Sequence, residues 1–227
     1  MTEFTLHGIP GSPYVRAVAL TLEEKRVRWT LAAIPMGAHR APDYLAVHPF
    51  QKIPTLDHGD FRLYETHAIL RYLDRVCPGA SLVPDDPRQA ARVDQLISLT
   101  NDYVAHQVSA VLSYNRRIVP LLGGMPDEAA VASGIEPARR VLAELARLLG
   151  DRPFFAGETL SLGDLMVAPH LSFLPEYGEG RNLLAERPNL AAWLERMETR
   201  ASMQATSWDA LIAKTGVDTK RPIAAAA

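Results

Sequence analysis

The spacing of apolar residues changes character near residue 77, and that change divides the chain. Before it, short alternating runs and one-sided helical runs take turns; after it only helical spacing remains. Phe4 and Leu6 alternate with Thr5 and His7, which predicts a half-buried strand, and a turn over residues 8–13 follows. Val15, Val18, Ala19 and Leu22 then share one helical face, with Pro13 in the first turn, where a missing N–H costs nothing. Val27, Trp29 and Leu31 alternate again. Strand, helix, strand is a unit whose two strands run parallel. A polar loop over residues 36–48 leads to residues 53–56 and 61–63, a hairpin about residues 57–60. Ala68, Ile69, Tyr72, Leu73 and Val76 close the half with a helix.

The order βαβ…ββα is that of a thioredoxin-like α/β domain, expected over residues 1–77. Residues 77–87 hold three prolines, one glycine and two aspartates and predict a linker. Val93, Leu96, Ile97, Val104, Val108, Val111 and Leu112 trace one stripe of a long helix over about residues 87–118. Val131, Ile135, Ala138, Leu142, Leu145, Leu148 and Leu149 trace a second helix, a third begins at Ser161 and a fourth near Pro188. Residues 88–219 therefore predict an all-helical C-terminal domain, and residues 223–227 a loose alanine-rich tail.

Composition narrows the chemistry. A net charge of -2 offers no general attraction for nucleic acid or an anionic membrane, so neither is expected as a partner. The single cysteine, Cys77, leaves no intramolecular disulfide, redox pair or cysteine zinc cage, and a reducing, cytoplasmic setting fits. The first residues do not read as a targeting peptide, and no apolar run reaches the ~18 residues of a membrane span.

Three places carry candidate chemistry. Ser12 lies where a strand gives way to a helix. Its hydroxyl is either a simple helix cap or a donor beside the free N–H groups and positive end of that helix, where an anion such as a thiolate is stabilised. Ile53-Pro54 puts a proline in a predicted strand, which belongs at an edge or bulge; a cis bond there would free the preceding backbone to pair with a bound peptide. Thr66 resembles an N-cap that could also present its hydroxyl to a carboxylate, with Glu65 beside it suited to an ammonium. His39, Arg40 and Lys52 add basic groups in the loops. An ammonium acceptor, backbone donors, basic groups and a thiolate site together suit a zwitterionic tripeptide thiol.

Several stretches resemble the glutathione transferase superfamily, in particular its serine-type phi, theta and delta branches. They are Pro10-Gly11-Ser12-Pro13-Tyr14-Val15-Arg16, Gly37-Ala38-His39-Arg40, His48-Pro49-Phe50-Gln51-Lys52-Ile53-Pro54, and Tyr64-Glu65-Thr66-His67-Ala68-Ile69. In the second half Phe155-Ala156-Gly157-Glu158-Thr159-Leu160-Ser161-Leu162-Gly163-Asp164 matches the family's folding signature. The resemblance runs over about residues 3–205. It implies that Ser12 donates to the glutathione thiolate and that Ile53, before a cis Pro54, pairs with the cysteinyl unit. It also implies that Glu65 and Thr66 hold the γ-glutamyl end, with His39, Arg40 and Lys52 near the glycyl carboxylate. Glutathione is then a cosubstrate, a small electrophile the second substrate, and no metal or other cofactor is needed. A homodimer is expected, with Phe50 a candidate interface ring.

Independently of any family, Ser161 and Asp164 form a capping box, with Leu160 and Leu165 as its hydrophobic staple. Tyr103, Gln107, Ala110 and Tyr114 share a second helical face. That face, with Tyr14, is either a wall of the electrophile pocket or an ordinary surface or subunit contact. The reading is a conjugating transferase with a possible hydroperoxide-reducing side activity. The alternative is a non-catalytic glutathione-binding or regulatory protein on the same scaffold. A glutaredoxin-like thiol transferase would want cysteine at position 12.

Overall fold

The computed structural model describes residues 3–217, in two compact units: residues up to Ser81 together with the segment from Ala201, and Leu82–Arg200. The proposed tail at 223–227 lies outside the described residues. In the first unit β1 (Phe4–Gly8), α1 (Pro13–Glu24), β2 (Trp29–Ala33), β3 (Thr55–His58), β4 (Phe61–Tyr64) and α2 (Thr66–Val76) follow in the expected order. The sheet runs β2-β1-β3-β4, with β1 parallel to β2 and antiparallel to β3, and β3 antiparallel to β4. The hairpin turns at Gly59 and Asp60, a left-handed glycine with φ 64° supplying the bend.

Cross-strand groups pin the register of this sheet. His7 Nε2 lies 2.8 Å from Asp57 Oδ2, and Arg62 donates to both Asp57 oxygens at 2.7 and 2.8 Å. The Arg62 hydrogen bonds, chiefly, hold the Asp57 carboxyl below its usual range. Leu6, Leu20, Leu22, Leu56, Ile69, Leu70 and Leu73 are fully buried around the sheet, each worth about 1.5–3 kcal/mol of burial. Lys25 closes α1 from inside: its ammonium meets Asp74 Oδ1 at 2.8 Å and donates to the Ala80 carbonyl at 2.8 Å.

The sequence predicts one apolar face for α1, yet every residue from Val15 to Leu22 is buried. The reason is the end of the chain. Two short helices, α9 (Ala201–Ala205) and α10 (Trp208–Thr215), pack in the first unit rather than ending the helical domain, so the 88–219 boundary is corrected at its far end. Arg16, buried in mid-helix, donates to the Met203 carbonyl at 2.9 Å, and Ser202 Oγ donates to Glu24 Oε1 at 2.5 Å. The burial of this polar position inside α1 thus has no local signal in the sequence, because its partner lies 187 residues away.

The second unit holds α3 (Pro87–Leu99), a continuation over Thr100–Ile118 with the wider i+5→i hydrogen bonds of a π-helix, and a last turn, α4 (Val119–Leu121). The ladder changes where Thr100 Oγ1 donates back to the Leu96 carbonyl at 2.8 Å. It then follows α5 (Glu128–Leu149), α6 (Leu162–Leu171), α7 (Gly178–Ala185) and α8 (Pro188–Glu198). Of these, α7 has no counterpart among the predicted helices; its short, glycine-bearing run lacks a full apolar stripe. The capping box is present, and Asp164 does more than cap. It accepts from Ser161 N–H at 3.0 Å, Ser161 Oγ at 2.6 Å, Phe155 N–H at 3.0 Å and Trp193 Nε1 at 2.9 Å. Burial pushes its pKa up, against the pull of those four donors.

His170 on α6 is buried, with Nδ1 2.9 Å from Ser109 Oγ, and burial lowers its pKa from 6.5 to about 3. The unfolded chain therefore binds the proton first, and stability falls as pH drops from 6.5 towards about 3. Urea unfolding between neutral pH and pH about 4 is expected to show this group's loss at up to about 1.4 kcal/mol per unit. A His170→Asn variant that kept the wild-type slope would remove His170 as its source.

Candidate functional site

The sheet pairing gathers four separate segments at one end. Gly8, the last residue of β1, pairs with Ala33, the last of β2; His7 pairs with Thr55, the first of β3; Thr55 pairs with Tyr64, the last of β4. The chain therefore leaves β1 towards Ser12, leaves β2 towards His39 and Arg40, enters β3 from Lys52, Ile53 and Pro54, and leaves β4 towards Glu65 and Thr66, all at the same edge.

Ser12 is delivered by a tight turn. Its N–H donates to the Ile9 carbonyl at 3.1 Å, with Pro10 and a left-handed Gly11 (φ 92°) between them. Proline second and a positive-φ glycine third is the pattern of a type II turn. Ser12 is then the N-cap of α1, half-buried, its Oγ accepting from Val15 N–H at a long 3.5 Å. The cap reading is borne out, and the cap bond leaves the hydroxyl's own hydrogen without an acceptor among the described residues. Tyr14 stands half-buried in the same first turn.

Opposite lies a basic loop. A short 3-10 turn, Ala38–Arg40, carries half-buried His39 and exposed Arg40. Burial, then the charges of Arg40 and Lys52, hold the His39 pKa below 6.5. Gln51 Nε2 donates to the Arg40 and Ala41 carbonyls at 2.8 and 2.9 Å, tying that loop to the one before β3. The Ile53-Pro54 bond is cis, and neither Ile53 N–H nor its carbonyl makes a backbone hydrogen bond among the described residues.

His48 is a site residue that its sequence context did not assign. It is buried, its Nδ1 accepts the Phe50 N–H at 3.1 Å, and its ring meets Tyr64 at 4.8 Å. Its pKa is lowered by burial first, raised by Glu65 and lowered by Lys52, so it stands between the acidic and basic sides of the site.

Thr66 is not the N-cap. It is the first helical residue of α2 and buried, while Glu65 takes the cap position with no side-chain cap bond. Glu65 has φ 70° and ψ 111°, a conformation β-carbon sterics disfavour. Its exposed carboxylate is thus held at the mouth of an uncapped helix start, and strain of this kind, about 1–3 kcal/mol, gathers at functional sites.

The other predicted pocket residues separate. In the second unit Tyr103 and Gln107 line a cavity of about 420 Å³ with Leu99, Pro137, Val141 and Leu145. Tyr114, exposed, is not in its wall, and neither is Ala110. The wider π winding rotates residues seven and eleven positions on away from the face that α-helical spacing assigned. Among the described residues no group of histidine, cysteine and acidic side chains is placed to hold a metal, and no helix is long and apolar enough to cross a membrane.

Fold and site together define a thioredoxin-like domain that presents a serine at a helix start, followed by a helical domain. The model of the glutathione S-transferase N-terminal domain matches residues 6–81, and that of the C-terminal domain residues 128–196. The chain is 33% identical to glutathione S-transferase 3 of Zea mays over 214 residues, 91% of this chain and 94% of that protein. A solved structure of glutathione S-transferase I from maize, in complex with an atrazine glutathione conjugate, matches with a TM-score of 0.79 at 27% identity, covering 93% of this chain and 99% of that one. Glutathione transferase F7 from Populus trichocarpa matches with a TM-score of 0.79 at 26% identity, covering 89% and 97%. The chain belongs to the glutathione S-transferase family.

The strain at Glu65 gives a direct test. Glu65→Gly removes the Cβ that resists φ 70°, and after glycine's own entropic cost a net gain of about 1 kcal/mol in stability is expected. Denaturant unfolding reads it; a destabilised variant would mean that Glu65 is held by contacts rather than strained.

Proposed function

We propose that this protein conjugates reduced glutathione to electrophilic small molecules, with Ser12 as the donor that stabilises the thiolate. The observation that carries it is the meeting of Ser12, Ile53-Pro54, Glu65 and Thr66 at one end of a single sheet. Support also comes from a maize relative in complex with a glutathione conjugate. Lowering a thiol pKa by two units is about 2.7 kcal/mol of thiolate stabilisation. The α1 N-terminus and the Ser12 hydroxyl supply it without a charged group, and holding the electrophile close supplies the rest of the rate.

In this reading glutathione lies along the strand ends. Its cysteinyl backbone pairs with Ile53, a strand-like contact made with free main-chain groups. Its γ-glutamyl ammonium meets the Glu65 carboxylate and its α-carboxylate the start of α2 and Thr66. Its glycyl carboxylate faces Arg40 and Lys52, with His39 neutral beside them at pH 7. The sulfur then sits at Ser12. The thiolate attacks the electrophilic carbon, a C–S bond forms, and the leaving group departs with its electron pair or the new carbanion takes a proton. The setting proposed is the cytoplasm.

Ser12→Ala keeps the turn and the other contacts. Binding of glutathione is expected to change little, while the pKa of the bound thiol rises towards its free value. Turnover at neutral pH then falls about ten- to hundredfold, or about 1.4–2.7 kcal/mol, and recovers at alkaline pH. Thiolate absorbance of the bound tripeptide against pH is the measurement. Superimposed curves for wild type and Ser12→Ala would reduce Ser12 to a helix cap.

The assembly proposed is a twofold homodimer. Phe50 is 67% exposed on the loop before β3, a large apolar ring left in water, and the second unit carries an apolar-walled cavity. The Phe50 ring of one copy entering the cavity of the other covers both, which makes Tyr103 and Gln107 interface residues. Phe50→Asp is expected to shift light scattering from dimer to monomer at micromolar concentration; a monomeric wild type would reject the assembly.

A further inference from the structure

The last described helix of the chain stands against the turn that carries Ser12. Trp208 opens α10, where Ser207 Oγ caps the helix by accepting from Ala210 N–H at 3.2 Å, and its indole is 94% buried, with 6% exposed. Gly11 is the residue it covers. A Cβ on Gly11 would stand 2.5 Å from Trp208 Cδ2 and Cε2 and 2.9 Å from Nε1. The indole therefore lies flat on the Gly11 backbone, at the third position of the type II turn, one residue before Ser12. Glycine is required there twice over: by its φ of 92° and by the ring in the space a side chain would fill.

The helix that bears Trp208 is itself held to the same unit at several points. Lys214 Nζ lies 4.1 Å above the Trp29 ring and 3.9 Å from Glu23 Oε1. On the preceding helix α9, the Met203 carbonyl accepts from Arg16 and Ser202 Oγ donates to Glu24. All four anchors lie on α1 or β2, so the segment spans α1 from end to end and closes over the turn at its start. The hydrogen bonds of Ser12 itself are three: its N–H to the Ile9 carbonyl at 3.1 Å, its carbonyl from Arg16 N–H at 2.9 Å, and the 3.5 Å cap contact; none of them holds the Gly11 peptide directly.

We infer that Trp208 is a positioning residue for Ser12, a rigid plate that fixes the Gly11 backbone and thereby the place of the Ser12 hydroxyl. The inference rests on the proposed role of Ser12 as thiolate donor. A hydroxyl that stabilises an anion works only within hydrogen-bond reach, so a displacement of a few tenths of an ångström matters at the sulfur and little to the peptide-binding contacts elsewhere. The C-terminal segment is in this view part of the active-site machinery of the first unit, though it touches no substrate.

The test is a graded series, Trp208→Phe and Trp208→Leu, in the full-length protein. With Leu the expected kcat at neutral pH falls about tenfold, matching a rise of about one unit in the pKa of bound glutathione, while KM for glutathione stays within about twofold. Phe, which keeps a flat ring, restores most of the rate. Should Trp208→Leu fail to fold, Trp208→Phe alone is expected to show a two- to threefold loss in kcat with the same KM and a matching upward shift of the thiol titration. Folded variants with a lower Tm but wild-type kcat and thiol titration would make Trp208 a packing residue and overturn the inference. Ser12→Ala separates the two levels: if it too leaves the thiol titration unchanged, the reading of Ser12 has failed, whereas a shift in Ser12→Ala alone sinks only the role of Trp208.

Discussion

The antiparallel pairing of β3 with β1 is the constraint on which the site depends. β1 and β2 run parallel, so both end at the same edge of the sheet. If β3 also ran parallel, its start would lie at the opposite edge and Ile53 would face away from Ser12. Because it runs antiparallel, residues 52–54 enter at the edge where the turn over residues 9–12 leaves, and β4 returns the chain to it at Glu65. Four segments spread over more than fifty residues thus meet without any contact between their side chains being needed. The His7, Asp57 and Arg62 group reinforces that pairing from the exposed face, and Arg62 also donates to the Ala46 carbonyl at 3.0 Å, holding the loop that follows β2.

The edge where these segments meet is also where local backbone rules are broken. Gln51 and Glu65 carry positive φ values of 51° and 70°, and α2 begins without a side-chain cap. A helix start left bare costs about 1 kcal/mol relative to a good cap, and each left-handed residue adds a comparable penalty. Other helices begin with a side-chain cap, at Asp86, Asp127 and Ser207, and Asp164 satisfies four donors at once. Arg26 also has a positive φ of 54°, however, and α7 and α8 start without a side-chain cap. At this edge two left-handed residues and a bare helix start come together, leaving free N–H groups, a free carboxylate and free strand backbone of the kind the proposed peptide ligand would use.

Much of this was legible in the sequence. Period-2 and period-3.6 runs placed all four strands of the sheet unit and its helices α1 and α2, and Pro10-Gly11 marked the turn that presents Ser12. The misses have physical causes. Thr66 has the composition of an N-cap, but a cap is decided by φ and ψ, and the strained Glu65 took that position. Tyr114 was assigned to the face of Tyr103 by α-helical spacing, and a wider helix moves it off that face. The buried place of Arg16 has no reading in the sequence, and α9 and α10 fall by sequence within the helical domain, because a contact across nearly the whole chain has no local signal. His48 had none either: a lone histidine beside proline is ordinary until burial and the Phe50 N–H give its Nδ1 a fixed partner.

Charge at the site is narrower than the residue list suggests. His39, Arg40 and Lys52 are three basic side chains, but burial and its two cationic neighbours keep His39 below its ordinary pKa, so at neutral pH it is an uncharged hydrogen-bonding group. His48, likewise lowered, is neutral there too. The cationic side of the site then consists of Arg40 and Lys52, both exposed, opposite the single carboxylate of Glu65. Two exposed cations attract a carboxylate in solvent but hold it loosely, since exposed pairs contribute about 0–1 kcal/mol. In the proposed binding mode, affinity for a tripeptide would then come from the strand-like pairing at Ile53 and the start of α2, which act at short range and demand a fixed geometry. A neutral hydroxyl at Ser12 fits the same logic: it adds no net charge that would bind other anions, and the thiolate stabilisation proposed for it would depend on position alone. On that proposal the packing beneath Gly11 bears on the chemistry assigned to the next residue.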